Sequence, residues 1–365
     1  MNFQFSEDAE ALRSEARKFL AAQSAPAHAR AVMESESGID RELWRKITDL
    51  GWTGLRIPET HGGLGLSVLE LCVLAEEVGR ALAPVPFTSS VLLATEALLA
   101  CGTPAQQATW LPRLVDGSAT GAVALAEGTL PAGAQSRITV RDKTLSGVKR
   151  PVPDAMLAYF LIVAAQDGLH LVERGASGLV VEPLDTVDLV RRSATVTLDN
   201  TPAEPLQGGR EGLEKFLQSA AVLLAFEGLG GAEAAMEMAI DYARERTAFG
   251  RPIAGYQAVK HRLADMYIKN QLARSHAYYG AWALSTGAPE LPHVAAAARV
   301  AALDAYGFAA EENVQLHGGI GYTWESDCQF HYRRARLLSG MLGSKAHWED
   351  ALVRSLEQRN TMIAA

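Results

Sequence analysis

The sequence predicts an α+β chain built in three successive parts, and three observations predict it. Apolar residues recur every three to four positions up to about residue 120, the helical period. Short β-branched segments separated by Gly, Pro and Asp then fill 121–208. From 209 to 365 the chain returns to long Ala-rich stretches of helical period. The expectation is therefore an N-terminal helical domain over 1–120, a middle antiparallel β-sandwich or barrel over 121–208, and a C-terminal four-helix bundle over 209–365.

Each element has its own local reasons. Ser6 can cap a first helix that carries Leu12, Ala16, Phe19 and Leu20 toward a core. Asp40 can cap another with Leu43, Trp44, Ile47 and Leu50 on its inner side. A helix from Val68 to Leu82 is expected to stop at Pro84 and Pro86, with Glu76 and Glu77 on an exposed face and His61 in the preceding loop. Strands are expected at Ala122–Ala126, Ile138–Val140, Leu157–Ala165, Gly168–Val172, Gly178–Val181 and Ala194–Leu198. Long helices are expected from Leu213 to Arg244, Gln257 to Leu284 and Pro292 to Gln315, and a last one begins near Phe330 with Arg333, Arg334 and Arg336. Gly228, Gly230 and Gly231 allow another helix to approach closely.

Composition narrows the function classes. The 365 residues include 48% hydrophobic and 21% charged, with a net charge of −8, which suits a globular protein and disfavours nucleic acid as partner. No uninterrupted apolar run is long enough to cross a bilayer, and the acidic N-terminus lacks the pattern of an export signal, so a cytoplasmic location is expected. Cys72, Cys101 and Cys328 have no metal-type spacing and are expected to be reduced thiols. No metal is expected.

Two motifs carry the functional signal. Arg246-x-x-Phe249-Gly250-x-x-Ile253-x-x-x-Gln257 marks a corner between two helices, surrounded by Arg244, Arg251, Lys260 and Arg262. Local positive charge in an acidic chain indicates an anionic ligand, and Arg grips phosphate through a planar fork. Gln315-Leu316-His317-Gly318-Gly319-Ile320-Gly321-Tyr322 follows the next helix, and its glycines let backbone amides approach a phosphate.

Together these motifs resemble the acyl-CoA dehydrogenase family, and the resemblance extends over nearly the whole chain. It implies that family's fold, an acyl-CoA thioester as substrate, FAD as cofactor and an electron-transferring flavoprotein as electron acceptor. It also implies that Arg246, Phe249, Gln257, Gln315, Leu316, His317, Gly318 and Gly319 contact the FAD of a neighbouring subunit.

The middle part departs from the family pattern. Where members have Ser-Glu-Pro-x-x-Gly-Ser-Asp, this chain reads Ala126-Glu127-Gly128-Thr129-Leu130-Pro131. Where they have a flavin-facing Trp and hydroxyl residues, it reads Lys149-Arg150-Pro151-Val152-Pro153. Thr129 is the one hydroxyl kept.

The usual catalytic Glu is missing as well. Dehydrogenation needs a carboxylate to take the α-proton. The two positions where the family carries it align with Leu342 and Ala220. Glu227, two turns beyond Ala220 in an apolar stretch, is the remaining candidate, set against a paired structural carboxylate. Three readings stay open. One is a dehydrogenase subunit sharing its FAD with a base-carrying partner, as α2β2 members acting on bulky substrates including steroids do, or within a homotetramer. The others are a flavin-dependent monooxygenase of the same fold and a non-catalytic structural or CoA-binding subunit.

Overall fold

The computed structural model describes residues 5–24, 26–128 and 136–364, with side chains to 358. The first part is helical: α1 (Glu7–Gln23), α2 (Pro26–Glu34), α3 (Arg41–Asp49), α4 (Val68–Arg80), a buried π-helix at Phe87–Thr95, α5 (Glu96–Cys101) and α6 (Pro104–Val115). Ser6 caps α1 by accepting from the amide of Ala9, and Asp40 caps α3 by accepting from that of Leu43. Leu43, Trp44 and Ile47 face the core, while Leu50 stays 48% exposed.

The Glu76–Glu77 expectation needs correcting. Both lie on the buried face of α4 at 1% exposure. Glu76 pairs with Arg13 at 2.5 Å and Arg274 at 2.8 Å, and Glu77 with Arg17 at 2.7 Å. Buried carboxylates are tolerated when such partners meet them, and here the partners come from α1 and from the C-terminal helices.

Two four-stranded sheets follow. Strands β1 (Gly121–Ala124), β2 (Thr139–Arg141), β3 (Thr144–Pro153), β4 (Phe160–Ala164), β5 (Leu169–Glu173), β6 (Leu179–Leu184), β7 (Ser193–Pro202) and β8 (Glu204–Pro205) form sheets in the orders β1-β4-β5-β8 and β2-β3-β7-β6. All pairings are antiparallel except β1 with β4. The sheets make an open sandwich rather than a closed barrel. Ala122, Leu161, Val163 and Val172 of the first sheet pack with Leu145, Val152 and Val196 of the second. Val123, Phe160, Ile162 and Leu171 turn the other way and join the helical core. Alternate residues of one sheet thus serve two cores.

Strand β3 was not expected, because Pro151 and Pro153 argue against a strand. Pro153 is the last residue of β3, and the chain accommodates Pro151 where β3 shifts register against β7, between Lys149 and Val152. There the Arg150 amide donates to the carbonyl of Ala126 instead of to the ladder.

The last part holds α7 (Gly209–Glu245), a short hairpin of β9 (Thr247–Ala248) and β10 (Arg251–Pro252), α8 (Gln257–Thr286), α9 (Leu291–His317), a 3-10 turn at Gly318–Tyr322, α10 (Cys328–Gly340) and α11 (Lys345–Ala364). Helix α7 ends at Glu245, one residue past the expected Arg244, because the hairpin takes over from there. It is long and apolar enough to span a bilayer, but 83% of its apolar window is buried inside the protein, as in a core helix. A methyl group on Gly230 of α7 would stand 1.9 Å from the carbonyl oxygen of Glu76, and one on Gly79 of α4 would stand 2.2 Å from that of Glu227. The two glycines let α4 and α7 cross backbone to backbone.

Candidate functional site: an open helical corner and a closed core

The hairpin after α7 is a two-residue turn. Phe249 (φ +50°) and Gly250 (φ +79°) both occupy left-handed backbone, as a type I′ turn demands. The turn is held by its own chain: Tyr256 donates its hydroxyl to the carbonyl of Ala248 at 2.8 Å, and Arg251 lies 4.1 Å over the Tyr256 ring. Phe249 is left 97% exposed at the tip.

Arg246 closes α7. Its amide donates to the carbonyl of Tyr242, and its carbonyl accepts from Ile253. Nearby Arg244 and Arg262 sit 3.7 Å from Asp241 and Glu312 respectively. The Arg246 guanidinium is exposed and has no carboxylate partner among the described residues. Gln257 begins α8 and Gln315 lies two residues before the end of α9, both exposed. A cleft of about 520 Å³ opens between these elements, with Phe249, Ile253, Tyr256, Gln315 and Leu316 in its wall. A second, of about 650 Å³, continues past Gln315 along Tyr322, Trp324 and Tyr332. The two motifs, some 60 residues apart, are thus brought to one surface.

His317 faces inward. Its Nδ1–H donates to the carbonyl of Asn313 at 2.8 Å, its ring stacks on Tyr242 at 4.0 Å, and burial holds its pKa below the ordinary value. It anchors the turn rather than offering a charge. Gly318 (φ +64°) and Gly319 follow, with nothing within 4 Å of where a side chain would begin. A free guanidinium, an exposed ring, two uncommitted amides and an open glycine turn fit the anionic and flat portions of the FAD implied by the resemblance.

The sheet side presents a closed arrangement. Lys149 is wholly buried, and its Nζ donates to Glu127 Oε1 at 2.6 Å and to the carbonyl of Leu125 at 3.1 Å. Ser136 Oγ and the Arg137 amide also donate to the Glu127 carboxylate. Burial depresses the Lys149 pKa; it would raise that of Glu127, but hydrogen bonds from Lys149 and Ser136 hold it below the ordinary value. These groups satisfy one another and offer no free hydroxyl. Thr129 lies outside the described residues.

The two positions at which the resemblance would put the base are core. Ala220 is fully buried in α7, and Leu342 is 3% exposed in the turn between α10 and α11, at φ +62°. Glu227 is 1% exposed, with Arg191 at 2.7 Å, Arg334 at 3.5 Å and the Thr88 hydroxyl donating at 2.9 Å. Burial alone would raise its pKa, but the charges of Arg191 and Arg334 outweigh it and hold the carboxyl below its ordinary value. A base for an α-proton needs the opposite displacement. Sequence reasoning missed this cluster. Asp188 grips Arg334 Nε at 2.6 Å across 146 residues, and no local pattern pairs two such positions.

Residues 6–118 match the family model for the acyl-CoA dehydrogenase N-terminal domain, and residues 207–356 that for the acyl-CoA dehydrogenase C-terminal domain. The chain is 35% identical to acyl-CoA dehydrogenase IpdE2 of Mycobacterium tuberculosis over 340 residues, 93% of this chain and 94% of that one. Among solved structures it resembles a Tcur3481-Tcur3483 steroid ACAD variant, with TM-score 0.89, 33% identity and coverage of 97% and 99% of the two chains. It also resembles the ChsE4-ChsE5 complex from Mycobacterium tuberculosis, with TM-score 0.88, 29% identity and coverage of 98% and 99%.

Proposed function

Because this chain belongs to the acyl-CoA dehydrogenase family, we propose that it is the subunit of a heteromeric enzyme that lends the helical half of an FAD site and leaves the base to its partner. The activity is FAD-dependent α,β-dehydrogenation of an acyl-CoA thioester. The observation that carries the proposal is a contrast within one chain. The corner at Arg246, Phe249, Gln257 and Gln315–Gly319 is open and uncommitted, whereas Ala220, Leu342 and the Glu127–Lys149 pair are packed shut.

In this reading the Arg246 fork donates to pyrophosphate oxygens, Phe249 covers a flat ring, and the Gln257 and Gln315 amides hydrogen-bond to polar edges of the cofactor. Gly318 and Gly319 let the backbone come close. When bound, FAD supplies the two-electron acceptor. The α-proton goes to a carboxylate of the partner, since neither Leu342 nor Ala220 can hold one. Glu227 serves as the counter-ion of Arg191 and Arg334. The resemblance to proteins solved as two-component assemblies, one of them a steroid ACAD, supports an α2β2 enzyme acting on a bulky steroid-derived acyl-CoA. Electrons would pass to an electron-transferring flavoprotein.

The test is to purify the chain alone and together with the product of its neighbouring gene, then measure FAD per chain and turnover of an acyl-CoA. Turnover is expected only from the pair. Full FAD occupancy and turnover by the isolated chain would sink the proposal.

A further inference from the structure

We propose that Arg30, in the N-terminal helix α2, is a positioning residue for the glycine turn of the cofactor site. This rests on the reading of that turn as an FAD contact. The argument begins with the turn itself. Gly318, Gly319 and Gly321 carry no side chains to lock Gly318–Tyr322 into shape, and glycine loses more backbone freedom on ordering than any other residue. Gly321 is buried against the Val314 carbonyl, and the rest of the conformation is imposed from the ends. At the N-terminal end, His317 is stacked on Tyr242 and hydrogen-bonded to Asn313.

At the C-terminal end one guanidinium serves three acceptors. Arg30 Nη1 donates to the carbonyl of Trp324 at 2.7 Å, and Nη2 donates to the carbonyl of Glu325 at 3.1 Å and to Asp327 Oδ1 at 2.6 Å. The guanidinium also lies 5.2 Å from the centre of the Phe330 ring. Gln329 donates to the same Trp324 carbonyl at 2.6 Å. Trp324 is two residues beyond the turn, so fixing its carbonyl fixes where the glycines leave α9's end. An ammonium could meet one or two of these acceptors, but not all three in one plane. The N-terminal helices thereby set the precision of a site nearly 300 residues away in sequence.

The experiment compares wild type, Arg30→Ala and Arg30→Lys in the complex of this chain with its partner. It reads the FAD dissociation constant and, on cofactor-free protein, amide exchange of peptides covering 318–327. Arg30→Ala should weaken FAD about 10-fold, the lower end for losing a charged hydrogen bond. It should speed exchange in 318–327, with peptides from the middle of α9 unchanged, and Arg30→Lys should recover part of both. If Arg30→Ala does not fold, Asp327→Ala removes a single partner and should give a smaller change of the same kind. Unchanged exchange in 318–327 overturns the brace. Faster exchange with unaltered FAD affinity, while Arg246→Ala does weaken FAD, also overturns it and leaves the cofactor reading standing. If neither Arg30→Ala nor Arg246→Ala alters FAD affinity, both ideas fall together.

Discussion

Phe249 shows at the scale of one residue what the fold alone does not ask for. Left-handed backbone costs a non-glycine residue about 1–2 kcal/mol, and this ring recovers none of it through burial, being 97% exposed. A strained, solvent-facing aromatic makes sense if another molecule covers it. Phe249→Gly should therefore leave folding stability within about 1 kcal/mol of wild type, since relief of strain offsets the added freedom of the unfolded chain. FAD binding should weaken by about 10-fold or more as the ring's apolar contact is lost. Urea unfolding and FAD titration on the same samples check both parts. A large loss of stability would make the ring structural. At this scale the sequence is readable where chemistry is local: Arg246, Phe249 and the glycine turn stand out by residue type and spacing. It is silent where a charge finds its partner far along the chain. Glu76 meets Arg274 across 198 residues, so its burial could not be read from an ordinary-looking Glu-Glu pair.

At the scale of elements, the crossing of α4 and α7 organises the helical core. Gly230→Ala would drive a methyl group into the Glu76 carbonyl, where neither backbone can easily yield. The cost should be about 3 kcal/mol, at the upper end for overpacking. Chemical denaturation measures it directly, and a change below about 1 kcal/mol would mean the helices can part freely. Small residues in α7 were legible as a packing face from sequence. Which helix they received was not, because α4 lies in a different part of the chain. Strand β3 was obscured for another reason. Proline argues against a strand, and β3 runs through Pro151 where its register shifts, with Pro153 at its very end.

Across the whole molecule, the cluster around Glu227 ties the three parts together. Thr88 comes from the π-helix, Asp188 and Arg191 from the segment before β7, Glu227 from α7, and Arg334 from α10. His331, beside it, bonds Tyr306 at 3.2 Å, and burial together with the charges of Arg334 and Arg80 pushes its pKa down to about 3. Below pH ~6.5 the unfolded chain takes up a proton there that the folded chain refuses until about pH 3. Stability is thus full above the unfolded value and falls as pH drops through that window, by at most about 1.4 kcal/mol per pH unit. His317 and His347 are displaced in the same direction and add the same sign. Glu227 joins only below its unfolded value of ~4.3, because its folded pKa is also depressed. His331→Gln should reduce the loss of stability between pH 7 and pH 5, read from urea midpoints. An unchanged loss would remove His331 from the account.

The central claim is that this chain holds FAD from its helical corner for a site completed elsewhere, and Arg246→Ala tests it most directly. The measurement is the FAD dissociation constant of the assembled complex carrying the substitution in this chain, with circular dichroism as the control for folding. Losing a charge-assisted phosphate contact is worth about 1.5–3 kcal/mol, so affinity should fall roughly 10- to 150-fold. Arg246→Lys should restore only part of it, because an ammonium lacks the planar fork. Unchanged affinity in a well-folded Arg246→Ala complex would contradict the claim, and the open corner would then be no more than a helix end.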